Sequence, residues 1–491
     1  MQREKKYCLG LLLAIACCHY VSAQLSVPAN NGLSVSRSID SLSAVRESGS
    51  LSNDAALFKI RNIVIQGNKR TRSDFMLREI PFKQGDQYLL QDLVKKFEDA
   101  RRQLMNTTLF NSVVVALKSF DGYDVDVLVS VKERWYIFPV PYFKPVDRNL
   151  NQWLIEQKAN LSRVNYGAKL LYNNATGRND KLRAWAMNGY TKQLQFSYDR
   201  YYVDKKMKWG MNLGFSVGAN KEINYNTINN KQVFFKDEKF VRNFFQSSIE
   251  ATYRPAIKTR HRFGIGYTME RISDTVFGLN PDYFSSSLKQ IAFPGVYYQM
   301  TYYDLDYIPY PTKGYAAEVG FGKQGLNKSM NIWQLGAKGM GVWPVGKKMF
   351  FTLSAQGLIK LPFRQPFYAQ RFLGYGNMFM QGYEYYVVDG VAGGFIKSMF
   401  SRKLMSFNIR IPTGKKRDPL LIPVSFYGKV YGNTGYVHNP LPGDNFLANK
   451  MLYSGGFGID IFTFYDVTLR FEWSFNQLGQ NGLFLHRNSI F

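Results

Sequence analysis

Val467-Thr468-Leu469-Arg470-Phe471-Glu472-Trp473-Ser474-Phe475-Asn476 alternates without interruption. Val467, Leu469, Phe471, Trp473 and Phe475 are apolar, and every residue between them is polar or charged. Side chains of a β-strand point to opposite faces in turn, so this stretch has one apolar face and one polar face. A strand standing between lipid and a wet interior needs that division. Phe263, Ile265, Tyr267 and Met269 repeat it against Arg262, Gly264, Gly266, Thr268 and Glu270. So do Leu194, Phe196 and Tyr198 against Gln195, Ser197 and Asp199, and Tyr315, Ala317, Val319 and Phe321 against Ala316, Glu318, Gly320 and Gly322.

Strands of this kind follow one another over 151–491 with no convincing helix. In a bilayer every backbone polar group must be paired internally, which forces the strands to close into a barrel. At roughly 20 residues per strand and connection, this length gives about sixteen antiparallel strands. Aromatic residues make up 16% of the chain and charged residues 20%, and no apolar run is long enough for a membrane-spanning helix. A soluble sandwich would alternate in the same way, but its apolar face would seldom carry so much Phe and Tyr. The formal charge of +27 fits attraction to anionic lipid headgroups. No basic run or nucleic-acid motif accompanies it, so no nucleic-acid partner is expected.

Ahead of the barrel four segments differ in composition. Residues 1–23 read as an export signal, with Arg3, Lys5 and Lys6 before a short apolar run and Val21-Ser22-Ala23 at its end. Cys8, Cys17 and Cys18 all fall inside it, so the mature chain has no cysteine chemistry. Residues 24–56 are a Ser- and Asn-rich linker. Residues 57–134 read as a compact β-α-α-β-β unit. Ile60, Ile63 and Ile65 mark its first strand, and Ser73 is placed to cap a short helix. Leu93, Phe97 and Leu104 form one face of a second helix, and Val125, Val127, Val129 and Val131 alternate in the last strand. Residues 135–150, with Pro139, Pro141 and Pro145, read as a stiff connector.

Three sets of residues carry a family resemblance. Ile63-Val64-Ile65-Gln66-Gly67-Asn68 with Thr71, Leu109-Phe110-Asn111-Ser112-Val113, and Val127 to Glu133 resemble a polypeptide-transport-associated (POTRA) domain. Tyr303-Asp304-Leu305-Asp306-Tyr307-Ile308-Pro309-Tyr310-Pro311-Thr312-Lys313-Gly314 resembles the Asp-x-Asp and Pro-x-x-Gly hairpin of the BamA/TamA outer-membrane assembly family. Arg371-Phe372-Leu373-Gly374-Tyr375-Gly376 and Met380-Gln381-Gly382-Tyr383-Glu384 resemble that family's inward-folded loop. There an arginine at the loop tip pairs with acids on the barrel wall. Here Gln381, beside Gly382 and Tyr383, holds the arginine position and cannot form a bidentate charged pair, which leaves Arg371 as the substitute cation. Phe471, Trp473 and Phe475 are expected on the last strand, followed by Gly482 to His486; with the terminal Phe491 they resemble the signal of assembled outer-membrane barrels.

The resemblance implies a protein of the bacterial outer membrane with its N-terminal domain in the periplasm. It implies unfolded outer-membrane protein clients, and periplasmic or lipoprotein subunits as further partners. With one POTRA-like unit, an accessory or specialised role in inserting or translocating proteins is expected; the alternative is a passive channel with a docking domain. No cofactor or metal is implied, and no catalytic constellation stands out. Gly214-Phe215-Ser216-Val217-Gly218 matches a nucleophile-elbow pattern but lies inside an alternating strand. Asp304 and Asp306 read as structural acids of a rim hairpin.

Overall fold

The computed structural model describes residues 56–145, 152–284, 288–327, 330–411 and 420–486. The expected export signal, nearly all of the linker and Phe491 lie outside them. The small domain contains β1 (Leu57–Gln66), α1 (Ser73–Glu79), β2 (Gln87–Leu89), α2 (Leu90–Asn106), β3 (Phe110–Asp121) and β4 (Asp124–Glu133). Its sheet has the order β2-β1-β4-β3, with β1 and β4 parallel. Val125, Val127, Val129 and Val131 occupy every second position of β4, so all four enter the core. Leu93, Phe97, Ala100 and Leu104 of α2, spaced one helical turn apart, cover them. Each such side chain contributes roughly 1.5–3 kcal/mol by burial.

Two expectations for this domain need correction. β2 is too short to show an alternating pattern, yet it pairs with Leu57 to Lys59. Ser73 is the first helical residue and not the cap. Arg72 occupies the cap position without a side-chain bond, and Asn68 Nδ2 donates to Ser73 Oγ at 3.0 Å.

Sixteen strands, from Ile137–Pro145 to Asn481–His486, form one antiparallel sheet in chain order. In Thr468–Asn476 the outward side chains Phe471, Trp473 and Phe475 are 37%, 38% and 46% exposed, whereas Glu472 and Ser474 are 0% and 1% exposed. A charged face can be the buried one only if the sheet rolls around it. This is the predicted barrel, with its apolar band outside. Gly214 to Gly218 lies inside the strand Trp209–Asn220, as expected.

Within the span 135–150 expected to be a connector, residues 137–145 are a strand, and 146–150 lie outside the described residues. Ile137–Pro145 is the first barrel strand and pairs with Val164–Asn173 over nine residue pairs. Asn173 N donates to Tyr136 O at 2.8 Å. In an antiparallel ladder, residues of one parity face one neighbour, so the even residues face Val164–Asn173. Pro139, Pro141 and Pro145 are all odd. Their missing N–H groups therefore point to the opposite edge, where proline removes nothing from the existing ladder.

The far rim, opposite the small domain, carries elements that the alternation did not disclose. Glu222–Ile228 and Lys231–Lys236 form a separate two-stranded hairpin. The turn is Asn229-Asn230, both with positive φ, as a tight hairpin turn demands. α3 (Asp274–Leu279) is a short helix that Ser273 caps through Val276 N.

Candidate functional site

The small domain sits on the near rim of the barrel, and its contacts are specific. Glu79, in the last turn of α1, is 3% exposed and receives both Arg254 Nη atoms, at 2.5 and 2.7 Å. Arg254 belongs to the turn between strands Arg242–Tyr253 and Thr259–Ile272. Arg134, just after β4, donates to both Asp466 carboxylate oxygens and to Tyr307 Oη. Asn174 Nδ2 donates to Thr71 Oγ1, which also bonds Tyr136 Oη. Burial alone would raise the Glu79 carboxyl. The Arg254 charge and its hydrogen bonds outweigh burial and hold it below its ordinary value of 4.5.

The rim hairpin between Gln290–Leu305 and Gly314–Asn327 gives its two acids different tasks. Asp306 organises the turn, accepting from the backbone N–H groups of Tyr307, Thr312 and Lys313. Asp304 faces its neighbours: Lys258 Nζ lies 2.7 Å away, and Arg102 of α2 lies 3.7 Å away. Pro311 is buried in the turn. Gly314 has φ +115, and a Cβ there would lie 2.0 Å from Asp304 O, so only glycine fits. Asn106, at the end of α2, donates to Leu305 O and accepts from Ile308 N. The hairpin thereby receives the end of the helix.

Residues 362–391 fold into the lumen, and their tip meets the wall at the strands Met451–Phe462 and Thr468–Asn476. Gln381 Nε2 donates to Glu472 Oε1 at 3.4 Å. Asn476 Nδ2 donates to Gly382 O at 2.8 Å, and Tyr383 Oη donates to Tyr453 O at 3.0 Å. Gly382 has φ +90, and a Cβ would meet Phe475 O at 2.9 Å. Glu472 itself is bound by Lys429 Nζ at 2.6 Å and by His486 Nδ1 at 2.5 Å, and Lys429 also reaches Asp460.

Arg371 is not the substitute cation. It donates to Tyr283 Oη at 3.1 Å and lies over Tyr368 and Tyr375 near the far rim. The wall's own Lys429 supplies the charge, and Gln381, Gly382 and Tyr383 hold the loop tip through uncharged groups of their own. Above it, Asn230 of the far-rim hairpin is fully buried. It donates to Val387 O, receives Leu447 N and takes Asn445 Oδ1 on its backbone N–H. Hairpin, lumenal loop and the turn at 439–450 are thus joined over the barrel mouth.

This arrangement can be set beside known proteins. Residues 58–134 match the surface antigen variable number repeat, or POTRA, family. Residues 174–463 match the Omp85 superfamily domain. The chain belongs to the Omp85 superfamily. Within it the small domain is the POTRA domain and the sheet the family barrel. Over 77 residues the chain is 34% identical to the outer membrane protein assembly factor BamA of Neorickettsia risticii. That match covers 16% of this chain and 10% of the relative, so the chain spans about a tenth of the relative's length. CdiB from Escherichia coli shares the fold, with a TM-score of 0.52 and 11% identity over 88% of this chain and 74% of that one. BamA from Haemophilus ducreyi lacking POTRA domains 1-3 aligns over 88% of this chain and 83% of that one, at 16% identity and a TM-score of 0.45.

Sequence reasoning placed Gln381, Gly382 and Tyr383 at a lumenal tip; it took the strand of Phe471, Trp473 and Phe475 as the last, whereas Asn481–His486 follows and pairs with it. It missed Glu79, Arg134, Arg254 and Lys429 of this Omp85 chain. Glu79 left a trace, because it follows Phe75 and Met76 at helical spacing and so shares their buried face.

Three outcomes follow from these pairs. Removing one partner of a fully buried ion pair costs about 3–5 kcal/mol. Glu79→Gln should therefore expose the junction between the POTRA domain and the barrel to added protease, leaving the barrel's heat-modifiable gel mobility intact. The folded pKa of Glu79 is below 4.5, so its stabilisation is present above pH 4.5 and is lost as pH falls further. Wild-type chain should show the same protease sensitivity on acidification. Lys429→Met removes the one cation shared by Asp460 and Glu472, leaving His486 on Glu472 and the more distant Arg470, at 3.9 Å, on Asp460. It should lower the unfolding temperature of the barrel itself, read by the same gel-mobility shift on heating.

Proposed function

We propose that this chain inserts or translocates polypeptides at the outer membrane as an accessory or specialised member of its superfamily. A client strand would pass from the POTRA domain to the seam between Ile137–Pro145 and Asn481–His486. The observation that carries this reading is the parity of the prolines in the first strand. Three of the five odd residues from Ile137 to Pro145 have no N–H to give the seam. A ladder across that edge forms fewer hydrogen bonds and costs less to open. The last strand contains no proline, so an incoming strand can use its donors and acceptors, a form of β-augmentation.

The placement of the POTRA domain supports the same reading. Among the described residues its outer strand β3 pairs with β4 alone and exposes Val114 and Phe120, so it offers a second edge for an extended segment. The domain is fixed to the rim through Arg134, immediately before the first strand. A segment held on β3 is thereby kept beside the seam. The loop folded into the lumen and the cap joined through Asn230 narrow the path a passive channel would need.

Reconstitution in liposomes with an unfolded outer-membrane barrel as client tests this. The full chain should accelerate client folding, and a chain lacking residues 58–133 should not. Pro139→Val with Pro141→Val restores two seam donors. It should raise the barrel's unfolding temperature and slow client folding several-fold, roughly as one or two added hydrogen bonds require. Unchanged client kinetics in a stabilised double variant would remove the seam as the exit. Solute leakage without client folding would favour the channel.

A further inference from the structure

Most charged side chains in the lumen have a named partner. Arg183 pairs with Asp199, Arg262 with Glu250, Arg242 with Glu270, and Lys429 with Asp460 and Glu472. Lys181, Arg200 and Arg260 do not. Among the described residues none of the three makes an ion pair or a side-chain hydrogen bond, yet all are half-buried. They converge from separate parts of the wall. Lys181 opens the strand Lys181–Gly189, Arg200 lies near the end of Thr191–Tyr202, and Arg260 stands on the inward face of Thr259–Ile272. Each lies within electrostatic range of the other two.

Two features set their placement. Arg200 has φ +67 at the irregularity between Tyr198 and Tyr201, where its backbone N–H is held by Asn212 Oδ1. A bulge of this kind turns a side chain that would otherwise leave the lumen face. Below the cluster, Arg254 spends its Nη atoms on Glu79, and its buried Nε has no partner. Six cations (Lys181, Arg183, Arg200, Arg254, Arg260 and Arg78, 3.7 Å from Glu79) face two carboxylates (Asp199 and Glu79), which leaves a formal excess of four positive charges. Gathering like charges out of bulk water is unfavourable unless an anion joins them. Guanidinium forks match a planar or tetrahedral oxyanion through paired N–H donors.

We propose that Lys181, Arg200 and Arg260 form a lumenal binding site for a soluble, multivalent oxyanion of the phosphate class. The strand wall separates the site from acyl chains, since the lipid-facing residues of Thr259–Ile272 are Phe263, Ile265, Tyr267 and Met269. The ligand therefore enters from the water of the lumen and not as a membrane lipid.

The test uses the full chain in detergent micelles with inorganic phosphate as probe and chloride at equal ionic strength as control. Isothermal titration should show saturable phosphate binding, absent with chloride. Arg200→Gln with Arg260→Gln should weaken it about tenfold or more, the scale of a lost charged hydrogen bond. Arg200→Lys with Arg260→Lys keeps the charge, and its heat-modifiable mobility controls for folding. It should retain weaker binding. A phosphate response equal to that of chloride, or one unchanged in the folded glutamine variant, would overturn the proposal. Short-chain phosphatidic acid separates the sources: displacement of phosphate by it would overturn the soluble ligand, and failure to displace supports it.

Discussion

Backbone hydrogen bonds have no substitute inside a bilayer, and the rest of this molecule follows from that constraint. Each of the sixteen strands spends its amides on its neighbours, so the sheet must roll until its polar face is enclosed. Once enclosed, that face obeys the rules of a protein interior and no longer those of a surface. Asp460, Glu472 and Lys429 are buried as thoroughly as core residues, and they are tolerable there because Lys429 lies between the two acids, with Arg470 beside Asp460 and His486 on Glu472. The loop at 362–391 then folds into the enclosed space, held through uncharged groups of Gln381, Gly382 and Tyr383 to a wall that carries its own cations.

The same constraint explains why the two ends of the sheet matter. An interior strand cannot spare donors on either side, but a terminal strand can carry proline on its outer edge. Pro139, Pro141 and Pro145 lie on that edge without disturbing the ladder to Val164–Asn173. The POTRA domain is anchored beside this position by Arg134, and farther round the rim by Glu79 in the Arg254 turn and by Asn106 in the rim hairpin. The contacts combine buried charge with shape, so the domain sits in one orientation relative to the first strand. That fixed relation between a strand edge and a donor-poor seam makes the assembly reading more than a likeness of folds.

Period-two alternation made the barrel legible, because a lipid-facing side chain has no polar option and an inward one has little apolar use. Val125 to Val131 and the α2 stripe made the POTRA domain legible for the same reason. What escaped the sequence was short or two-sided. β2 has three residues, and the first strand was read as a connector because proline argues against an interior strand. The hairpin at 222–236 sits above the sheet, where neither face meets lipid.

The sequence by itself determined the class of fold, the order of its two parts and which residues of each strand face outward. These depend on near-neighbour geometry, where the chemistry of residue i constrains residue i+2 or i+4. Only the tertiary structure decided that Lys429 and not Arg371 neutralises Glu472, that Glu79 meets Arg254, and that Lys181, Arg200 and Arg260 share one space. Those residues lie on different strands or domains, and their meeting is set by barrel closure and strand register. No local pattern encodes either, because both are properties of the whole ladder.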